Sequence, residues 1–199
     1  MKNKEFYNNY MQAFLNLNAK INLISKNDEK FLWEKHIFDS LAIEKFFDKY
    51  LPSDRTLSLL DIGTGGGFPA VPIALEYRKI HVTAVDSIRK KINAIENIKN
   101  ELGITNLSPI CQRVETLTGK YDIITSRAVA SLDKICEFAL PLLKKDGYFI
   151  AYKSRKTSDE ISGAQKILKK YNAKILDIIE YQLPLNENFT RNLIVITLI

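Results

Sequence analysis

Residues 57–62 form a short apolar run that stops abruptly at Gly63-Thr64-Gly65-Gly66-Gly67. A run of this length without polar alternation reads as a strand buried on both faces of a parallel sheet. The glycines mark a tight turn, and Pro69 directly after them suits the first position of a helix, with Pro72 still inside its first turn. Gly63, Gly65 and Gly67 therefore alternate between a strand and a helix. Glycine there permits positive φ and lets backbone approach a ligand closely. The helix start adds unpaired N–H groups and a positive partial charge that favour an anion. This unit predicts an α/β sheet holding a nucleoside-bearing ligand at the carboxyl edge of its strands.

The flanking sequence agrees. Phe6, Tyr10, Phe14 and Leu17 recur at helical spacing, and a second helix is expected from Asp28, as its N-cap, through Phe47 to just before Pro52. From Thr56 to Ser154 strands alternate with helices: strands at 81–86, 107–111, 121–125 and 148–153, helices at 87–102, closed by Gly103, and 131–145. A helix at 158–171 then precedes strands at 174–183 and 193–199, whose direct connection makes them an antiparallel pair. The expected fold is α/β: a Rossmann-like, mostly parallel sheet ending in an antiparallel pair. Residues 1–52 are expected as a helical region packed on a domain of residues 53–199.

Composition removes several classes. A hydrophobic fraction of 46% with 26% charged residues is that of a chain able to build its own core. No apolar run approaches a membrane span, and the amphipathic start is not a signal peptide. The two cysteines, Cys111 and Cys136, and two histidines, His36 and His81, lack metal-ligand spacing, so free thiols in a reducing, cytoplasmic compartment and no metal are expected. The net charge of +6 is compatible with a polyanionic partner or with none.

Spacing separates two ligand classes. A dinucleotide fingerprint wants glycine three residues after Gly65, where Phe68 stands. An acidic Asp61 also precedes the first glycine, placed to hold a methionyl amino group directly or through water. The pattern D-x-G-x-G-x-G fits S-adenosylmethionine and not a nicotinamide cofactor. Asp86, at the end of the next strand, is placed to accept from ribose hydroxyls; the plainer alternative is an N-cap. Val114 and Glu115 follow the third strand, where an adenine would lie. On its own Glu115 reads as an exposed glutamate at a helix start.

The methyl acceptor is narrowed by absence. Exocyclic amine methylation usually comes with an Asn/Asp-Pro-Pro-aromatic segment after the fourth strand, and here that place reads Thr125-Ser126-Arg127-Ala128-Val129. Cytosine C5 methylation needs a cysteine nucleophile, and neither cysteine lies there. A ring nitrogen with an available lone pair remains, such as guanine N7, which needs no general base. Arg127 can contact guanine O6, a phosphate or the cofactor carboxylate; the plainer reading is a surface salt bridge.

These residues resemble the ribosomal RNA small subunit methyltransferase G family, also called the glucose-inhibited division protein B family. The resemblance is carried by Lys35-His36-Ile37-Phe38-Asp39-Ser40-Leu41, Asp61 through Pro69, Val85-Asp86-Ser87 with Lys90-Lys91, Arg113-Val114-Glu115, and Ser126 through Leu132. It covers nearly the whole chain. It implies a class I S-adenosylmethionine-dependent fold, N7 methylation of a guanine in 16S ribosomal RNA or the small ribosomal subunit, and cofactor contacts at Gly63, Phe68, Val114, Glu115 and Arg127. Gly65 and Asp86 join that set from their positions. Lys35 and Ala70 stand where the family usually has arginine and glycine, and Ser154 where glycine is common.

No catalytic residue is assigned; Arg127 and Lys153 are candidates on the substrate side. His36 and Asp39, three apart on a helix, either line the cleft or clamp the N-terminal helices to the sheet. Arg89-Lys90-Lys91 and Lys153-Ser154-Arg155-Lys156 are basic groups able to meet phosphates, the second favoured by its place at the sheet edge. A small-molecule or protein methyltransferase and a non-catalytic nucleotide-binding module are the competing functions.

Overall fold

A computed structural model describes residues 3–51, 55–154, 157–185 and 189–199. Seven strands form one sheet in the order β3-β2-β1-β4-β5-β7-β6. These are β1 (Leu57–Ile62), β2 (Ile80–Asp86), β3 (Leu107–Cys111), β4 (Tyr121–Arg127), β5 (Leu143–Lys153), β6 (Ala173–Gln182) and β7 (Thr190–Leu198). The first five pair in parallel, and β7 runs antiparallel between β5 and β6, as the direct connection predicts. Pro109 is tolerated because β3 is an edge strand, where a missing N–H breaks no interior ladder.

The helices are α1 (Asn8–Ile21), α2 (Lys26–Glu29), α3 (Asp39–Leu41), α4 (Glu44–Tyr50), α5 (Ala70–Glu76), α6 (Arg89–Leu102), α7 (Leu132–Ala139) and α8 (Ser158–Lys170). Alternate residues of each interior strand feed opposite faces. Leu59, Ile123, Ile150 and Val195 meet α5, α6 and the N-terminal segments, while Leu60, Ile124, Phe149 and Ile194 meet α7 and α8. Each face is thus covered, which is why the middle residues of the interior strands are apolar on both sides. Tyr7, Tyr10, Phe14, Ile37 and Phe46 of the N-terminal region are fully buried in the same core as β1 and α5.

Two expectations are corrected. The helix expected from Asp28 is broken. Ser25, not Asp28, is the cap, accepting the Asp28 N–H; after α2, residues Leu32–Phe38 wind as a π-helix before α3. The π winding sends the Asp39 N–H to the His36 carbonyl and leaves the Lys35 carbonyl without its usual helical donor. π-turns concentrate at functional sites, and this one faces the site described below. The helix expected at 131–145 stops at Ala139. Leu140–Leu142 form a 3-10 turn around Pro141, and β5 begins at Leu143. Proline removes a helical N–H and clashes with the preceding turn. Pro52, Arg155 and Lys156 lie outside the described residues.

Candidate cofactor and substrate site

The strand order reverses between β1 and β4, and the carboxyl ends of these two neighbours open a crevice, the place where doubly wound sheets bind ligands. Two cavities meet there. The larger, about 1000 Å³, is lined by the glycine loop, the 35–39 segment, Arg127 and the 128–131 loop, Tyr152, Lys153, Ser154 and Arg191. The smaller, about 350 Å³, holds Asp86, Gln112, Arg113, Val114 and Glu115. Gly63, Lys91, Ala128 and Val129 line both. A further cavity of about 770 Å³, walled by Phe6, Tyr7, Glu44 and Glu76, contains none of the expected site residues.

The glycine loop needs its glycines for two reasons. Gly63 (φ +69°), Gly65 (φ +58°) and Gly67 (φ +91°) all occupy the left-handed region. A Cβ on Gly63 would come within 2.5 Å of the Val129 side chain, and one on Gly67 within 2.7 Å of Val71. Asp86 ties the loop in place: one carboxylate oxygen accepts the Gly65 N–H at 3.0 Å, and the other accepts from Ile88 N. The N-cap alternative is thus half right. Asp86 caps the turn before α6 and also faces the smaller cavity with Val114 and Glu115.

Asp61 departs from one of its two expected roles. Its side chain is fully buried under the loop and lines neither cavity, so a direct grip on a methionyl amine is not what it offers. One oxygen accepts from Thr125 Oγ1 at 2.8 Å; the other has no hydrogen-bond partner among the described residues. Burial pushes the carboxyl up to about 6, against the pull of the neighbouring Thr64 and Thr125 hydroxyls and the Arg127 charge. The folded state therefore binds this proton more tightly than the unfolded chain. Its stabilising effect is complete below pH ~4 and is lost as pH rises through 6, a change on the order of 3 kcal/mol. Comparing wild type with Asp61→Asn isolates the group. The variant's melting temperature is expected to gain about 5–10 °C on wild type between pH 4 and pH 7. A difference that stays constant with pH would show that Asp61 is ionised throughout.

Arg127 is the centre of the larger cavity's wall. Its Nη1 donates to Asp39 Oδ2 at 2.8 Å and to the freed Lys35 carbonyl at 3.1 Å; its Nη2 meets His36 Nδ1 at 3.1 Å. The guanidinium lies 5.2 Å from the centre of the Phe68 ring. The second Asp39 oxygen accepts from Tyr181 Oη at 2.6 Å. With side chains 14% and 6% exposed, this ion pair is buried and is not the surface salt bridge of the plainer reading. His36 and Asp39 do clamp the N-terminal segment to the sheet, and what they clamp is Arg127. Arginine only donates, so His36 Nδ1 is the acceptor and the ring proton sits on Nε2. Burial, with the Arg127 charge behind it, pushes the imidazole down to about 4 and keeps it neutral.

The remaining candidates divide. Phe68 is buried; its ring packs on Phe14, His36 and Tyr10, and its N–H is taken by the Thr64 carbonyl, so it shapes the cavity wall. Lys153 lines the larger cavity but pairs with Glu160 at 2.5 Å and donates to the Ala130 carbonyl. Lys91 faces Asp86 at 3.8 Å. Lys35 pairs with Asp28 and covers the Phe31 ring, so only its carbonyl serves Arg127, and a lysine side chain suits that role. Burial pushes the Cys136 thiol up to about 12, which makes it an inert core residue.

Sequence reasoning missed Tyr181, Tyr152, Glu160 and Val129. Tyr152 donates to the Ser40 carbonyl, and Glu160 also accepts the Leu132 N–H that opens α7. Tyr181 and Asp39 are 142 positions apart, and no local pattern links them.

A model of the family described as rRNA small subunit methyltransferase G matches residues 3–190. A protein of that name from Staphylococcus saprophyticus is 36% identical over 188 residues, covering 92% of this chain and 77% of its own. Another from Bacillus licheniformis is 35% identical over 198 residues, covering 96% and 81%. Among solved structures, magnesium protoporphyrin IX methyltransferase from Synechocystis PCC 6803 with bound SAM superposes with a TM-score of 0.65 at 15% identity, over 98% of this chain and 94% of that one. A ribosomal protein L11 methylase from Lactobacillus delbrueckii subsp. bulgaricus gives 0.59 at 20% identity, over 80% and 75%. The two solved structures support the class I methyltransferase fold, and with family match and relatives alike spanning nine-tenths of its length, the chain belongs to the rRNA small subunit methyltransferase G family.

Proposed function

We propose that this chain transfers a methyl group from S-adenosylmethionine to N7 of a guanine in 16S ribosomal RNA. The observation that carries the reading is the pair of cavities joined across Gly63 at the strand-order reversal. The smaller, of about 350 Å³, is edged by Asp86, Val114 and Glu115. The other is larger and has a cationic wall at Arg127, Lys153 and Arg191. A Cβ on Gly63 would fill the junction between them.

In this reading Gly63 and Gly65 let the backbone approach the cofactor, Asp86 accepts from the ribose, and Val114 and Glu115 edge the adenine. Phe68 and Arg127 border the methionyl end. When bound, the cofactor supplies an electrophilic methyl on its sulfonium. The chain's task is positioning, because an in-line displacement onto an unprotonated ring nitrogen needs no base. That agrees with a wall whose carboxylates, Asp28, Asp39 and Glu160, are already paired with Lys35, Arg127 and Lys153. Lys153 is then a phosphate contact held ready by Glu160, not a proton carrier.

We also read residues 1–52 as a helical region packed on a methyltransferase domain of residues 53–199, and the small ribosomal subunit or its RNA as the cytoplasmic partner. No helix among the described residues is long and apolar enough to cross a membrane. Labelled methyl groups are expected to reach small-subunit RNA from cells lacking this protein and to appear as N7-methylguanine after digestion. Label recovered on an exocyclic amine, or on protein, would refute the assignment.

A further inference from the structure

His36 lines the larger cavity with one ring nitrogen engaged and the other idle. Nδ1 accepts from Arg127, and Nε2 is buried with no hydrogen-bond partner among the described residues. Which nitrogen carries the proton follows from the neighbours. Tyr181 Oη donates to Asp39 at 2.6 Å, Asp39 holds Arg127 at 2.8 Å, and Arg127 offers His36 only donors. The chain of contacts from β6 through α3 to β4 thus ends in a fixed Nε2–H. A buried donor without an acceptor is costly, and none of the described residues relieves it. Arg127 is in the same position. Among the described residues, three of its five N–H donors are used by Asp39, Lys35 and His36, which leaves two without a partner there.

We propose that His36 donates its Nε2–H to an unprotonated ligand oxygen in this cavity, the methionyl carboxylate of the cofactor or O6 of the target guanine. The proposal rests on the methyltransferase reading above and deepens it. Both ligand groups present a carbonyl-type oxygen to a neutral donor, and both have further lone pairs for the spare Arg127 N–H groups. At the guanine position the donor also discriminates. Adenine carries an amino group where guanine has O6, so a purine of the wrong kind would set donor against donor.

Two substitutions separate the idle nitrogen from the engaged one. Asparagine places its amide oxygen near the Nδ1 position and keeps an acceptor for Arg127 but lacks the distal donor. Glutamine carries an N–H₂ group near the Nε2 position. Each variant is titrated calorimetrically with S-adenosylhomocysteine and with methylthioadenosine, which lacks the carboxylate, and assayed for steady-state methylation of small-subunit RNA. His36→Asn is expected to lose about tenfold, the worth of one such hydrogen bond, with His36→Gln recovering most of it. Loss for S-adenosylhomocysteine but not methylthioadenosine supports the proposal with the carboxylate as acceptor. Unchanged cofactor affinity with a raised KM or lowered kcat for RNA supports it with guanine O6. An asparagine variant equal to wild type in every assay overturns the proposal. So does an equal loss in both variants with a lowered melting temperature, which would make His36 a clamp only. Wild-type protein that binds neither compound would instead overturn the methyltransferase reading.

Discussion

Gly63→Val is expected to fold yet bind S-adenosylmethionine at least roughly 100-fold more weakly, because strain of about 1–3 kcal/mol and a blocked approach act at one position. Gly63 has φ +69°, a region that a β-branched side chain resists strongly. The added Cβ would also meet Val129 at 2.5 Å. Val129 is 44% exposed and can give way, so the chain can fold, but only by shifting the loop that separates the two cavities. Gly65→Ala is the graded control. Its φ is +58°, but nothing other than the Gly63 carbonyl at 3.9 Å stands near its Cβ. Only the backbone cost of about 1 kcal/mol applies, and it weakens binding only as far as the free loop relaxes away from this φ, so a loss of at most about fivefold is expected. Calorimetric titration of both variants checks the order. Equal losses would mean that the space at Gly63 is not where the cofactor passes.

Arg127→Met is expected to lower stability by about 3–5 kcal/mol and to abolish methyl transfer, because removal of one partner leaves a buried charge uncompensated. Asp39 would then hold a carboxylate with the Tyr181 hydroxyl as its remaining side-chain donor among the described residues, and the Lys35 carbonyl and His36 Nδ1 would lose theirs. For a chain of this size the melting temperature should fall by about 10 °C or more. The double variant Asp39→Asn/Arg127→Met separates clamp from chemistry. Neutralising Asp39 should return much of the lost stability while activity stays absent. Recovery of activity together with stability would show that Arg127 serves only to hold the N-terminal segment on the sheet.

The strand–glycine–helix unit was legible because each of its parts is local. An apolar run ends at residues that alone tolerate positive φ, and the next helix begins at once. The parallel order and the antiparallel return also follow from local patterns, since helices between strands force crossovers and a direct connection does not. Asp86, Val114 and Glu115 could be placed at one cavity because each stands at the carboxyl end of a strand whose position in the sheet was already implied. The break between α2 and α3 was not legible. Its apolar residues suit an α-helix and a π-helix alike, and the difference is set by Arg127 taking the Lys35 carbonyl from 92 positions away.

By itself, then, the sequence determined the α/β class, the position of the glycine loop and, through its family blocks, the kinship with rRNA methyltransferases. Those depend on backbone freedom and hydrophobic period, which neighbours along the chain express. Only the tertiary structure decided that Asp61 supports the loop from beneath, that Arg127 and Lys153 are held by carboxylates, and that His36 keeps one ring nitrogen idle. Burial and charge pairing arise where the N-terminal segments cross the carboxyl edge of the sheet. The residues concerned lie as far apart as Asp39 and Tyr181, 142 positions, so no periodicity in the chain encodes their meeting.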